Sequence, residues 1–248
     1  MEENALKTSW KQRLIIAAVA ALLLGSSVAV YVAIVLGGDN VNYSRMTTSQ
    51  LETAYEKAYS DYEARAAELS NKYFDEFKSY KSSVKAYNSS TANSNGVVST
   101  DLKEGDGDTV ETGKYSAYYI GYCSDESVFD SSFDSYDEPT SLKAPLSVDA
   151  DSLIEGWYLG AEGMKLGGVR EITIPGSLAY GDTYEICGGY NSPLKFIIYA
   201  VERDSEIDKL TDRLNEIYLA LSNAYYSDYS DYSEVDYSDY TDESTSAE

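Results

Sequence analysis

The stretch "LIEGWYLGAEGMKLGGVREITIPGSLAYG", Leu153–Gly181, holds seven glycines around a single tryptophan. Glycines at this density can cradle a phosphate, turn the chain tightly or let two elements approach closely. The stretch has neither a GxGxxG pattern nor the Gly-Lys-Ser/Thr ending of a P-loop, and Glu155, Glu162 and Glu171 would repel an anion. The sequence therefore argues against phosphate binding here.

The remaining interpretation is a turn followed by a strand. Gly167 and Gly168 predict a tight reversal before the strand "VREITIP". Gly156, next to Trp157, allows the backbone to approach closely under a large aromatic ring. A helix that carries this tryptophan and leads into such a strand predicts the floor of an apolar pocket.

Outward from this stretch, residues 97–202 have the pattern of an antiparallel sheet. Short runs rich in Val, Ile, Tyr and Phe alternate with Gly, Asp, Ser and Pro. "SAYYIGY" and "REITIP" predict strands, and "PLKFIIYAVE" has the apolar density of a central strand. One short helix is predicted over Asp151–Leu159, with its N-cap near Asp149 or Asp151.

Composition excludes several classes of function. The 248 residues carry a formal net charge of −23, which disfavours nucleic-acid binding because that binding depends on Lys and Arg neutralising phosphates. The chain has no histidine, so Ser-His and Cys-His nucleophile pairs and histidine metal ligands are excluded. Any catalysis must use carboxylates, tyrosines, backbone groups or shape, and we predict no cofactor and no metal site.

The two cysteines, Cys123 and Cys187, have no CxxC spacing and cannot form a four-ligand zinc site alone. Outside the cytoplasm they would be able to form a disulfide that pins the loop after Gly181 to a strand end. Two unpaired thiols are the alternative, and the sequence leaves both open.

Residues 14–38 carry no charge and, as a helix of about 36 Å, would cross the hydrocarbon core of a bilayer. Lys7, Lys11 and Arg13 precede this run and Asp39 follows it, which predicts a cytoplasmic N-terminus for residues 1–13. A cleaved signal peptide is the alternative, but its apolar region is normally only about 7–15 residues long. We therefore expect a single-pass membrane protein whose remaining chain lies outside the cytoplasm.

Residues 39–95 predict a helical stalk and a linker. Between Thr48 and Tyr80 apolar residues recur at steps of three and four, which places them along one helix face. This stripe predicts a stalk helix that self-associates or packs on another helix. The segment "YNSSTANSNG", residues 87–96, predicts a flexible linker.

A second amphipathic helix is predicted over residues 204–226, with Ile207, Leu210 and Ile217 on its apolar face. It would pack against the stalk helix or lie alone on the surface. Residues 227–248 are a low-complexity run of Tyr, Ser and acidic residues, a composition typical of disorder.

The glycine-rich stretch resembles the signature segment of FKBP-type peptidyl-prolyl cis-trans isomerases. Upstream, "SAYYIGYCSDESVFDSSF" resembles a strand and a Phe-Asp-Ser-Ser segment of that family; downstream, "NSPLKFIIYAVE" resembles its final strand, and "LKEGDGDTVETG" its opening strand and turn. The resemblance covers residues 96–203 in the family's order. It implies an α+β fold, an FKBP-like antiparallel sheet of five to six strands curled around one short helix, to which the chain adds a transmembrane helix and flanking amphipathic helices.

The resemblance also implies a pocket between helix and sheet, with Trp157 at its floor. The residues expected to act on the substrate are Tyr119, Phe129, Asp130, Trp157, Tyr180 and Phe196. Those expected to bind it are Leu153, Ile154 and Ile186. The Ile154 backbone N–H and the Tyr180 hydroxyl are the expected donors to substrate carbonyls.

Two departures from the family lie beside this pocket. The loop after Tyr180, "GDTYEICGGYNSP", lacks the family's common Ile-Pro-Pro segment. The region after "FDSSFDSYDEPT" has no counterpart of the family's pocket arginine. Both departures predict an altered substrate preference and rate.

The function implied by the resemblance is peptidyl-prolyl cis-trans isomerisation of proline-containing polypeptides, which requires no nucleophile, proton shuttle or metal. With the predicted membrane anchor, the expected role is to assist the folding of exported proteins. The alternative is an FKBP-like chaperone or peptide-binding module with weak or no isomerase activity. A third possibility is a surface protein whose Tyr/Ser/Asp tail does the important binding.

Overall fold

The computed structural model describes residues 41–231, and side chains as far as residue 225. The predicted membrane anchor at residues 14–38 and most of the predicted tail lie outside this range. Within residues 41–231, no helix combines the length and the apolar character needed to cross a membrane. The described residues divide into two compact units, a larger one of residues 60–212 and a smaller one of residues 41–59 and 213–231.

The helices and strands alternate irregularly along the chain. The helices are α1 (Thr48–Lys78), α2 (Ser89–Ser94), α3 (Glu155–Ala161) and α4 (Ser205–Asp231). The strands are β1 (Val98–Lys103), β2 (Tyr115–Tyr122), β3 (Val128–Ser131), β4 (Leu146–Ser147), β5 (Val169–Ile174) and β6 (Leu194–Glu202). Short 3-10 turns cover Tyr43–Arg45, Ser79–Ser83 and Gly176–Leu178.

The six strands form one antiparallel sheet in the order β1-β5-β6-β2-β3, with β4 beside β2. β6 is hydrogen-bonded on both edges, to β2 and to β5, which confirms the central strand predicted from "PLKFIIYAVE". The antiparallel sheet with its short helix also confirms the α+β sheet part of the predicted fold class; the transmembrane helix of that prediction lies outside the described residues.

Both faces of the central strands β2 and β6 are buried, whereas β1 is exposed along its whole length. Side chains of β6 alternate between the faces, so that Phe196 and Ile198 pack with α3 whereas Ile197 and Tyr199 pack with α1. From α1, the side chains of Leu69, Tyr73 and Phe77 cover the second face. The apolar stripe of the predicted stalk helix is therefore occupied, over this part of its length, by the sheet itself.

The segment interpreted as a flexible linker is ordered. Residues 89–94 form α2, whose N-cap residue Asn88 accepts a hydrogen bond from the Thr91 amide at 2.8 Å, and Ala92 is buried. The Ser, Thr and Asn residues that suggested a linker are also the residues that favour helix caps, which explains the error.

In the smaller unit, the beginning of α1 packs on the second half of α4. Leu51, Ala54 and Ala58 are buried with Ile217 in one apolar cluster. The Tyr225 hydroxyl donates to the Glu52 carboxylate at 2.8 Å. Of the two arrangements that the sequence left open for the C-terminal helix, packing against the stalk helix is therefore the one observed; α4 continues to Asp231, beyond the predicted end at residue 226.

Candidate active site

Four aromatic rings from the sheet and α3 form one cluster. The Trp157 ring lies 5.2 Å from that of Phe196, at an interplanar angle of 69°, and 5.8 Å from that of Tyr119. Phe129 meets Phe196 edge-on at 5.6 Å. Trp157 is 2% exposed, and its indole N–H donates to the hydroxyl of buried Tyr115 at 3.3 Å. The structure thus brings together four of the five aromatic residues that the resemblance assigned to the pocket; the fifth, Tyr180, pairs with Tyr184 instead.

Glycines set the position of α3. A Cβ at Gly156 would lie 2.2 Å from Cγ2 of Ile174, and one at Gly160 would lie 2.8 Å from Cγ2 of Ile172. The helix therefore packs with its bare backbone against β5, which carries Trp157 down onto the sheet. Gly156 allows the close approach predicted from sequence, although the surface it meets is an isoleucine of β5.

α3 begins later than predicted, at Glu155 with Ile154 as its N-cap residue. Asp151 has a positive φ of 60°, which is incompatible with a helix. Asp149, the other predicted cap, is instead paired with Arg203. The predicted start at Asp151 was wrong because both aspartates resemble caps in sequence.

Tyr158 holds the segment that leads into α3. Its hydroxyl accepts hydrogen bonds from the amides of Ser152 (3.1 Å) and Leu153 (3.0 Å) and donates to the Asp149 carbonyl (2.7 Å). Leu153 and Ile154 consequently lie against the Trp157 cluster, half-buried. Sequence reasoning missed Tyr158, and its position one residue after Trp157 gave no sign of this role.

Tyr119 and Asp130 form the polar part of the site. The Tyr119 hydroxyl donates to Oδ2 of Asp130 at 2.5 Å, and the Asp130 Oδ1 accepts the Ser131 amide at 2.8 Å. Burial raises the pKa of the Tyr119 phenol, and the hydrogen bond to Asp130 raises it further. Tyr119 is therefore a neutral hydrogen-bond donor throughout the physiological range.

Tyr180 lies at the edge of the site with 37% of its surface exposed. Burial raises the pKa of its phenol, as do the nearby charge of Asp130 and, to a smaller extent, Tyr184. Ile186, in the loop that follows, packs half-buried on the same cluster as Trp157. Seven of the nine predicted site residues thus lie in the apolar cluster around Trp157; Asp130 is hydrogen-bonded to one of them, Tyr119, and Tyr180 lies near Asp130.

Two tethers hold the loop after Tyr180. Cys187 forms a disulfide with Cys123, just beyond the end of β2, with a Cα–Cα distance of 5.4 Å. On the other side, Asn93 of α2 accepts a hydrogen bond from the Gly176 amide at 2.8 Å and donates to the Asn191 carbonyl at 3.3 Å. Asn93 was missed because it lies in the segment interpreted as a linker.

The site is a set of aromatic rings, one exposed carboxylate and two tyrosine hydroxyls. Within residues 41–231, no three or more His, Cys, Asp or Glu side chains are placed to hold a metal ion. Such a surface can enclose an apolar ring and present donors to carbonyl oxygens at its edge. The site can thus hold a bound chain by complementary shape and by hydrogen bonds.

Known proteins are similar in sequence to the part of the chain that contains this site. The family model for FKBP-type peptidyl-prolyl cis-trans isomerase matches residues 103–202. An FK506-binding protein of Streptomyces anulatus is 38% identical over 104 residues, which span 41% of this chain and 79% of that protein. One from Neisseria meningitidis serogroup B is 34% identical over 110 residues, 43% of this chain and 93% of that protein. The solved structure of AtFKBP13 is 29% identical, with a TM-score of 0.35, over 44% of this chain and 93% of that one.

The chain belongs to the FKBP-type peptidyl-prolyl cis-trans isomerases. Its activity is therefore rotation about Xaa-Pro peptide bonds, as the resemblance of the glycine-rich stretch implied. FKBP domains bind proline-containing peptides, and the aromatic cluster around Trp157 lies in the matched region.

Proposed function

We propose that this isomerase is held at a membrane by residues 14–38 and assists the folding of exported proteins outside the cytoplasm. The uncharged length of that segment and the basic residues before it support a single-pass anchor with a cytoplasmic N-terminus. The Cys123–Cys187 disulfide is the strongest support for a location outside the cytoplasm, because disulfides persist mainly in oxidising compartments.

The proposed mechanism starts from the barrier to rotation, about 18–20 kcal/mol, which arises from amide resonance. At the twisted transition state this resonance is lost and the carbonyl becomes less polar. The aromatic cluster around Trp157 would surround the proline ring and exclude water, which disfavours the planar, polar amide relative to the twisted one.

Groups at the edge of the pocket would hold the flanking chain in a bent form. The Ile154 amide, at the N-cap of α3, and the Tyr180 hydroxyl are the proposed donors to substrate carbonyls. Phe129, Phe196 and Tyr119 would form the walls, and the Tyr119 hydroxyl would fix the Asp130 carboxylate. Leu153 and Ile186 would contact the substrate on either side.

The activity is tested with the full chain in lipid nanodiscs, by NMR exchange between the cis and trans forms of a Leu-Pro peptide. Trp157→Ala and Tyr180→Phe are expected to lower kcat/KM. Tyr218→Phe is the matched control, because Tyr218 is 63% exposed on α4 in the smaller unit. Peptide binding without acceleration would instead favour the alternative, an FKBP-like chaperone or peptide-binding module.

The location is tested with fusions after residue 248. Alkaline phosphatase, which requires disulfides, is expected to be active at this position, and green fluorescent protein is expected to fluoresce only when fused before residue 1. The opposite pattern would contradict the proposed orientation.

A further inference from the structure

The loop after Tyr180 presents aromatic surface at the edge of the pocket. The rings of Tyr180 and Tyr184 lie 5.5 Å apart at an interplanar angle of 52°, and Tyr184 is 60% exposed. Two residues further on, Ile186 packs on the Trp157 cluster, so the tyrosine pair adjoins the pocket. An exposed aromatic pair that continues a binding pocket is surface available to a ligand.

Carboxylates flank this tyrosine pair. Asp182 and Glu185, on either side of Tyr184, are exposed, as is Glu155 at the first position of α3. Asp130 is close enough to Tyr180 for its charge to act on that phenol. The edge of the pocket therefore combines aromatic faces with negative charge.

Basic side chains are missing from most of the segments that build the pocket; Lys195, beside Phe196 in β6, is paired with the Glu171 carboxylate at 2.6 Å. Residues 115–142, 144–164 and 171–194 contain no Lys and no Arg. Lys143, between the first two segments, donates its Nζ proton to the Ser131 carbonyl at 2.9 Å. All the charged side chains in these segments are therefore acidic. They would attract a cation on a bound peptide, and no basic residue of the same segments would compete with it for the carboxylates.

We propose that this edge, formed by Tyr180, Asp182, Tyr184 and Glu185, selects proline-containing chains that carry a lysine or arginine beside the proline. A cationic head over the Tyr184 ring is attracted by the electrons of the ring face. The neighbouring carboxylates add Coulomb attraction, which weakens as salt screens it. The inference rests on the proposed use of the Trp157 pocket to hold the proline.

An acidic residue beside the proline would be repelled by the same carboxylates. An apolar residue would contact the tyrosine faces without gaining the charge term. The structure therefore assigns an order of preference at this position: basic, then apolar, then acidic.

The test uses the full chain in nanodiscs of zwitterionic lipid and the peptides Ala-Xaa-Pro-Phe and Ala-Leu-Pro-Xaa. Xaa is lysine, ε-acetyl-lysine, leucine or glutamate, so that lysine and acetyl-lysine differ in charge on a similar side chain. In at least one series, kcat/KM for lysine is expected to exceed that for acetyl-lysine about fivefold at ~0.01 M salt. The ratio is expected to approach one at ~1 M salt, where the screening length is about 3 Å.

Matched charge variants locate the effect. Asp182→Asn with Glu185→Gln, and separately Tyr184→Leu, are expected to reduce the ratio of kcat/KM for the lysine peptide to that for the acetyl-lysine peptide, measured within each variant. The control, Asp108→Asn with Glu63→Gln, removes the same two charges elsewhere. Asp108 adjoins Leu166, beyond the C-terminal end of α3, and Glu63 is exposed on α1.

Equal rates for lysine and acetyl-lysine at low salt in both series would overturn the inference, and so would an equal effect of the two charge variants. In both cases the leucine peptide is still isomerised, and the proposed function stands. If the unmodified chain accelerates no peptide, the proposed function fails and this inference fails with it.

Discussion

The ring of Phe77 stacks on that of Tyr199, with centroids 6.0 Å apart and an interplanar angle of 27°. Phe77 belongs to α1 and Tyr199 to β6, whose next residue, Ala200, faces the Trp157 cluster on the other side of the sheet. The Tyr199 hydroxyl also donates to the Glu76 carboxylate at 2.8 Å. The second half of α1 thus covers one face of the isomerase sheet.

Phe77→Ala is expected to lower the free energy of unfolding by about 3–5 kcal/mol, because a fully buried aromatic ring is replaced by a cavity. Urea denaturation of the full chain in mild detergent, followed by near-UV circular dichroism, measures this loss. The control is Phe74→Ala, since Phe74 is only half-buried and lies next to the buried stripe. It should lower the free energy of unfolding by less than Phe77→Ala does. Equal losses would contradict the packing described for α1.

Gly156→Ala is expected to lower kcat/KM, because its Cβ would lie 2.2 Å from Cγ2 of Ile174 and 3.1 Å from the Leu178 carbonyl. The clash would push α3 away from β5 and displace Trp157. Isomerase assays compare this variant with the double variant that also carries Ile174→Ala. The comparison shows whether the clash with Ile174 causes the loss of activity. The second substitution makes room for the new methyl group and should restore part of the activity; an unchanged rate in the single variant would refute the close contact.

The pH profile of kcat/KM is expected to be flat from about pH 6 to pH 9. A free tyrosine ionises near pH 10, and burial raises the pKa of both Tyr119 and Tyr180. A raised pKa keeps the neutral, donating form to higher pH, so activity that depends on these hydroxyls falls only above about pH 10. An inflection between pH 6 and 9 would show that another group controls the rate.

Tyr119→Phe removes the hydrogen bond to Asp130 without removing the ring. Since such a bond contributes about 0.5–1.5 kcal/mol, kcat/KM is expected to fall by up to about tenfold. The profile of the variant should stay flat over the same pH range. A loss that appears only at high pH would be inconsistent with a neutral donor.

Removing the disulfide with Cys123→Ala and Cys187→Ala is expected to lower the free energy of unfolding by about 4 kcal/mol in the chain-entropy model, given a sequence separation of 64 residues. Urea denaturation with and without dithiothreitol measures the effect. The unmodified chain should fall to the level of the variant under reducing conditions, while the variant should not change. A stability that is the same in all four samples would show that the bond does not constrain the unfolded chain.

The sequence predicted the sheet and the pocket because the determining residues lie in short contiguous patterns. Trp157 follows Gly156 directly, and "LKF" places Phe196 at a fixed position in the last strand. The antiparallel fold and the class of enzyme are confirmed. The individual roles of the pocket residues stay predictions.

What covers the second face of the sheet was not predicted. An amphipathic stripe shows that α1 must bury one side, but the stripe does not show against which surface. A signal was present in "FIIYAV" of β6, where residues of both parities are apolar, because a sheet with one face in water alternates instead. The roles of Asn93 and Tyr158 could not be predicted from the sequence, because single hydrogen bonds to backbone groups create no recurring pattern of residues.

Burial of β6 on both faces and pairing on both edges has a consequence for turnover in the cell. Its amides can exchange with solvent deuterium only when the surrounding unit opens as a whole, so they should be among the slowest to exchange. Opening of that strand dismantles the aromatic cluster around Trp157 and releases the second half of α1 in one event. A quality-control protease would thus meet either a working isomerase or an unfolded chain, with little in between.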